Sequence, residues 1–145
     1  MPYLHQLTFK CTKGVIMGFY MISALISVNS FFYGIDRKIA HGIVYTESRY
    51  KPNARGSIGE RGLFQVRKEY LAYPLDLYDP EINIHYGLSY LSKLKSRLHP
   101  KYKKKYIIAY NRGTTGLLRL VKKRGRIDLH KDRYYQRVVA SNIRR

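Results

Sequence analysis

The chain has 145 residues, room for one domain with an adequate core and not for two; 28 lysines and arginines stand against 9 acidic residues, a formal charge of +19. Such a field favours polyanions, whether nucleic acid, anionic lipid or a cell wall bearing carboxylates and acidic polymers, and composition does not choose among them. Cys11 is the only cysteine, which excludes an intrachain disulfide and a cysteine metal cluster; the five histidines are scattered without a paired metal-ligand spacing, so neither metal nor cofactor is expected.

Residues 1–13 form a short polar lead with Lys10 and Lys13, and Gly14 to Ile35 follow as 22 residues without a formal charge. That length suffices for a helix to span a bilayer. Three readings are open. As a secretory signal, the two lysines precede an apolar run from Gly14 to Ile26, with Ala24 or Ser30 as imperfect cleavage sites. As an anchor, the same stretch stays in the membrane. As a buried helix, its second half is the first helix of the domain. Gly, Ser and Asn29 within the run lower its hydrophobicity and favour a signal or a weak anchor over a firmly inserted span. The expected organisation is a signal or anchor over residues 1–32, merging into the first domain helix, and one domain over 33–145.

Asp36 suits the N-cap of a helix, with Ile35 placed to staple onto Ala40. Ile39, Ala40, Ile43 and Val44 recur at helical spacing, and Glu47 falls four residues after Ile43 on the face that turns to the core. Desolvation there disfavours the charged carboxylate and raises its pKa, the condition for a general acid near neutral pH. His41 lies off that face and reads as an exposed residue. Pro52 stops the helix, and Gly56, Gly59 and Gly62 recur every third residue, which suits tight turns; a small hairpin is expected near Arg55 to Gly62. Glu60 in this loop reads as solvated or arginine-paired.

Val66 to Tyr73 reads as a short helix ended by Pro74, with Asp76 in a polar connection. Asp79-Pro80 is an N-cap followed by proline at the first helical position. Ile84, Leu88, Leu91, Leu94 and Leu98 then make the apolar stripe of a core helix of about five turns. Gly87 lies on that stripe, where close helix packing is its best explanation. Lys101 to Lys105 form a basic surface run. Ile107 to Tyr110 read as a buried helix end that delivers Asn111 to a turn closed by Gly113. An aromatic ring and an amide placed together suit a pyranose face and an N-acetyl group. Leu117 to Lys122 and Asp132 to Asn142 read as two further helices. No segment alternates like a long strand, so the fold class is mostly α, with one small hairpin.

Tyr33-Gly34-Ile35-Asp36, Glu47-Ser48, Pro52-Asn53-Ala54, Gly59, Gly62-Leu63-Phe64-Gln65, Asp79-Pro80, Asn83-Ile84, Gly87, Tyr90-Leu91, Ala109-Tyr110-Asn111, Gly113 and Tyr134 occur in this order at short spacings. Over roughly residues 33 to 140 the series resembles the catalytic domain of the soluble-type lytic transglycosylases, which have a lysozyme-like α+β fold. The resemblance implies cleavage of the bond between N-acetylmuramic acid and N-acetylglucosamine with formation of a 1,6-anhydro ring, and Glu47 as the catalytic acid. It implies that Ser48 and Asn111 hold polar groups of the sugar, that Gln65 lines the cleft, and that Tyr110 and Tyr134 stack or hydrogen-bond around the reacting ring. Two positions depart from the family's pattern: Arg112 stands where alanine is usual and Thr114 where proline is common.

The partners implied are peptidoglycan glycan strands, a secretion, conjugation or phage machine that must open the wall, and the membrane through the N-terminal segment. The implied location is outside the cytoplasm: the periplasm or cell envelope, anchored at the inner membrane, or a virion if the protein is phage-encoded. Two other functions are open: a lysozyme-type hydrolase of the same bond, which needs a second carboxylate to activate water, and a catalytically silent basic module for wall polymer or nucleic acid. Specific nucleic-acid recognition is not expected, because the basic residues spread over the chain and no reading motif is present.

Overall fold

Three of the helices begin at aspartates whose side chains satisfy the orphan amides at their starts. The computed structural model describes the backbone of residues 3–71, 74–99, 102 and 105–141, with side chains from residue 18 onward except that of Tyr70. Helix α1 spans Tyr3–Phe32 and α2 spans Arg37–Ser48. As the sequence predicts, the Asp36 carboxylate caps α2 by accepting the Ile39 amide at 3.1 Å. Asp79 caps α3, Pro80–Arg97, by accepting the Glu81 and Ile82 amides at 2.9 and 3.0 Å. Asp132 caps α5, Arg133–Ala140, through the amides of Tyr134 and Tyr135, each at 3.0 Å. Each cap supplies an acceptor to amides that have no partner within the helix.

The hydrophobic core forms where α2 packs against α1 and α5, and α3 against α1 and α4, Tyr106–Arg124. Ile43 and Val44 of α2, Ile84, Leu88 and Leu91 of α3, Ile108 and Leu117 of α4 and Val138 of α5 are fully enclosed. From α1, Ile22, Ile26 and Ser30 face this core, so the second half of the uncharged N-terminal run packs within the fold. Among the described residues no helix is long and apolar enough to cross a membrane. Close approach sets two glycines. A Cβ on Gly42 would stand 2.2 Å from the Val138 carbonyl oxygen, and one on Gly87 would stand 2.3 Å from Cγ of Phe64.

Three local expectations change. Val66–Arg67 is not helical: it forms strand β2, antiparallel to β1, Glu60–Arg61, in the register Glu60↔Arg67 and Arg61↔Val66. The reversal comes from Gly62 at φ 75° and Gln65 at φ 50°, two left-handed residues bracketing Leu63 and Phe64. A single turn of 3₁₀ helix follows at Lys68–Tyr70, while Tyr73 lies outside the described residues. The hairpin predicted near Arg55 to Gly62 is present but shifted, with Arg55 contributing only a bridge to Arg61. His41 is also not a solvated residue. Its ring bridges Ser27 Oγ of α1 at 3.0 Å and the Tyr50 hydroxyl at 2.7 Å, because α1 lies across the flank of α2 that the α2 periodicity alone leaves facing water. Lys101, Lys103 and Lys104 of the basic run, and Asn142, lie outside the described residues.

One buried amide ties the hairpin to the helices. Asn83 is fully enclosed on α3; its Oδ1 accepts the Phe64 amide at 2.7 Å, and its Nδ2 donates to the carbonyls of Arg61 and Leu77, both at 2.8 Å. Asn83→Ala leaves one donor and two acceptors unsatisfied, and stability is expected to fall by about 3 kcal/mol in urea denaturation. A loss below about 1 kcal/mol would mean that the clamp is not what holds the hairpin.

Candidate active site

The last turn of α2 carries Glu47 beside a cleft of about 460 Å³ lined by the hairpin, by α3 and by the middle of α4. The helix ends one residue later, where Arg49 and Tyr50 take left-handed conformations at φ 54° and 61° and the Arg49 amide closes on the Tyr45 carbonyl at 3.1 Å. The carboxylate is thus a helix-borne group at the edge of an opening, backed by core.

Glu47 is held from behind. The Tyr134 hydroxyl, on α5 and only 3% exposed, donates to Glu47 Oε1 at 2.6 Å. Burial raises the carboxyl above its ordinary pKa; the Tyr134 hydrogen bond and the Arg137 charge pull it down, and the charge of Glu60 pushes it up. Burial and the nearby Glu47 charge also raise the Tyr134 phenol well above its ordinary value, so it remains a donor. With Oε1 accepting from Tyr134, the acidic proton belongs on Oε2.

The opposite wall comes from α4, whose helix breaks at Gly113, φ 70° and ψ 163°. The break places Asn111, Arg112 and Gly113 on the cleft lining beside Tyr110. Tyr110 donates its hydroxyl to the Phe64 carbonyl at 2.8 Å, which fixes its ring, and that ring lies 5.6 Å from the ring of Tyr90 on α3. Arg112 reaches Asp132 Oδ2 at 3.5 Å. The cap of α5 and the cleft wall therefore share one ion pair.

Of the residues singled out in the sequence, Glu47, Gln65, Tyr110 and Asn111 line the cleft together. Gln65 also braces its own loop, its Nε2 donating to the carbonyls of Gly62 at 2.8 Å and Ala54 at 3.3 Å. Ser48 is buried, its hydroxyl donating to the Val44 carbonyl at 3.0 Å, and it is not among the residues lining the cleft. Tyr134 touches the site through Glu47 from beneath.

Sequence reasoning set aside Glu60, which also lines the cleft. It is paired as expected: Oε1 lies 3.7 Å from Arg67 and Oε2 accepts the Ile58 amide at 3.1 Å. Tyr86, Tyr90 and Lys93 of α3 line the cleft as well. Their spacing of four and three residues, beside the buried stripe, is the signal by which they can be found. Among the described residues no group of His, Cys, Asp and Glu is arranged to hold a metal ion.

Residues 24–132 match the family described as the transglycosylase SLT domain. The chain is also similar to the membrane-bound lytic murein transglycosylase E of Buchnera aphidicola subsp. Acyrthosiphon pisum (strain APS), with 33% identity over 109 residues, covering 63% of this chain and 49% of that protein. The chain thus spans about half the length of the curated relative it matches. No solved structure matches.

The raised Glu47 pKa has a consequence for stability. Between the carboxyl's unfolded value and its higher folded value, the native state binds more protons than the unfolded state, so this side chain's contribution falls as pH rises. Glu47→Gln removes that loss. The variant is expected to gain stability relative to the parent as pH rises from below the carboxylate range to neutrality, read from urea midpoints across a pH series. A difference that stays flat or reverses with pH would contradict the desolvated carboxyl.

Proposed function

The chain belongs to the transglycosylase SLT domain family, and from this we propose that it cleaves peptidoglycan as a lytic transglycosylase, with Glu47 as its acid and base. The observation that carries the reading is a single carboxyl, raised by burial and fixed by Tyr134, at the edge of a cleft fitted with an aromatic ring and an amide.

In the first step Glu47 Oε2–H gives its proton to the oxygen between N-acetylmuramic acid and N-acetylglucosamine, and the bond from that oxygen to C1 breaks. The substrate's own acetamido oxygen supports the positive charge at C1. Glu47, now a carboxylate, takes the proton from the muramic C6 hydroxyl, and that oxygen bonds to C1, closing the 1,6-anhydro ring and restoring the acid. No water is consumed. Holding the C6 hydroxyl against C1 makes the second step intramolecular, which favours it over attack by solvent. Asn111 offers its amide to the sugar's polar groups and Tyr110 its ring, while Gln65 shapes the hairpin side of the cleft. Tyr134 keeps Oε1 engaged so that Oε2 faces the reaction. Ser48 acts at most through the last turn of α2, given its bond to the Val44 carbonyl.

A hydrolytic reading has one observation in its favour: Glu60 lines the same cleft. Its two oxygens are engaged by Arg67 and by the Ile58 amide, which leaves it poorly placed to activate water. The placement proposed is the cell envelope, with export through the N-terminal segment; service to a secretion, conjugation or phage machine that opens the wall is part of the same proposal.

The test is clearance of purified cell walls. Glu47→Gln keeps the shape of the side chain but cannot deliver a proton, and activity is expected to fall by ~10²–10⁴-fold. Glu60→Gln is expected to stay within about tenfold of the parent, since it removes a paired charge and no proton donor. The reverse ranking of the two variants would move the acid to Glu60 and overturn the assignment.

A further inference from the structure

Helix α1 presents two unlike faces. Ile22, Ile26 and Ser30 are buried against the domain. Tyr20, Met21, Ala24, Val28, Phe31 and Phe32 are all exposed, and at 100° per residue they fall within one arc of about 120° on the opposite side. The two phenylalanines are 81% and 77% exposed. This is a contiguous apolar ridge roughly 18 Å long, with no charged residue anywhere between Gly14 and Ile35. Scattered exposed apolar residues need no explanation, but a ridge of this length on a soluble surface marks a contact.

Charge says what covers it. Five residues after Phe32, past the capping Asp36, the chain carries exposed Arg37 and Lys38, and the Lys95 ammonium donates to the Gly34 carbonyl, two residues from Phe32. An aromatic ridge with cations close behind it in the chain, in a protein of net +19, matches the headgroup and upper acyl region of an anionic bilayer. A second copy fits less well, since pairing two ridges brings two strongly basic chains together. Crossing the bilayer would tear Ile22, Ile26 and Ser30 out of the core.

We propose that the outer face of α1 lies in the surface of an anionic membrane, seating the domain on the bilayer without spanning it. The inference rests on the envelope placement proposed above. A carboxy-terminal reporter active only outside the cytoplasm tests that placement, whereas vesicle binding by the full-length protein tests the contact itself. The full chain is expected to sediment with vesicles of phosphatidylcholine and phosphatidylglycerol, weakly or not at all with phosphatidylcholine alone, and to be released from membranes by alkaline carbonate. Phe31→Ser with Phe32→Ser is expected to weaken partitioning by on the order of tenfold or more. Both side chains stand in solvent away from the cleft, so wall clearance by this variant is expected to match the parent. Failure of the parent to bind anionic vesicles, equal binding by the double variant, or resistance to carbonate would each overturn the proposal. So would a dimer in vesicle-free solution that the double variant abolishes, because a second copy would then cover the ridge.

Discussion

A carboxylate withdrawn from water at the last turn of α2 works against folding, and the elements around it offset part of that cost. The Tyr134 hydrogen bond satisfies one oxygen of Glu47, and that bond and the Arg137 charge favour the ionised form against the upward push of burial. A group that donates and then accepts one proton needs both forms within reach. The stability given up at neutral pH is the counterpart of the acid and base role proposed for Glu47.

The rest of the site depends on how rigidly the two walls meet that carboxyl. On one side, Asn83 sutures the hairpin to α3 by holding Phe64, Arg61 and Leu77 at once, and Phe64 seats against Gly87 and anchors the Tyr110 hydroxyl. On the other, the break at Gly113 lets Asn111 and Arg112 face the cleft from inside a helix. The Arg112–Asp132 pair then joins this wall to the cap of α5, the helix that bears Tyr134. Both walls are thus tied to the elements around the carboxyl by packed, hydrogen-bonded groups.

Features governed by local chemistry were legible in the sequence. The aspartate caps at residues 36 and 79, the buried stripe of α3, the close packing at Gly87 and the delivery of Asn111 to the Gly113 break all follow from short-range patterns. Features set by distant partners were not. His41 is bridged because α1 crosses its flank, which no reading of the α2 periodicity reveals. Val66–Arg67 pairs as a strand because a non-glycine residue, Gln65, adopts a left-handed conformation, where β-turn signals point to glycine. Glu60 enters the cleft only because the hairpin folds toward α3, and Tyr134 reaches Glu47 from 87 residues away. The apolar run at the N-terminus showed its hydrophobicity in sequence but not that its two faces differ.

In the proposed reaction one carboxyl shuttles one proton and no water enters the product. Digestion of purified peptidoglycan in oxygen-18 water, followed by mass analysis of the released muropeptides, tests it most directly. Intramolecular ring closure gives 1,6-anhydromuramic termini without label, each lighter by one water than a hydrolytic product. Label at the new muramic terminus would contradict it, would make water the acceptor, and would bring Glu60 back as the group that activates it.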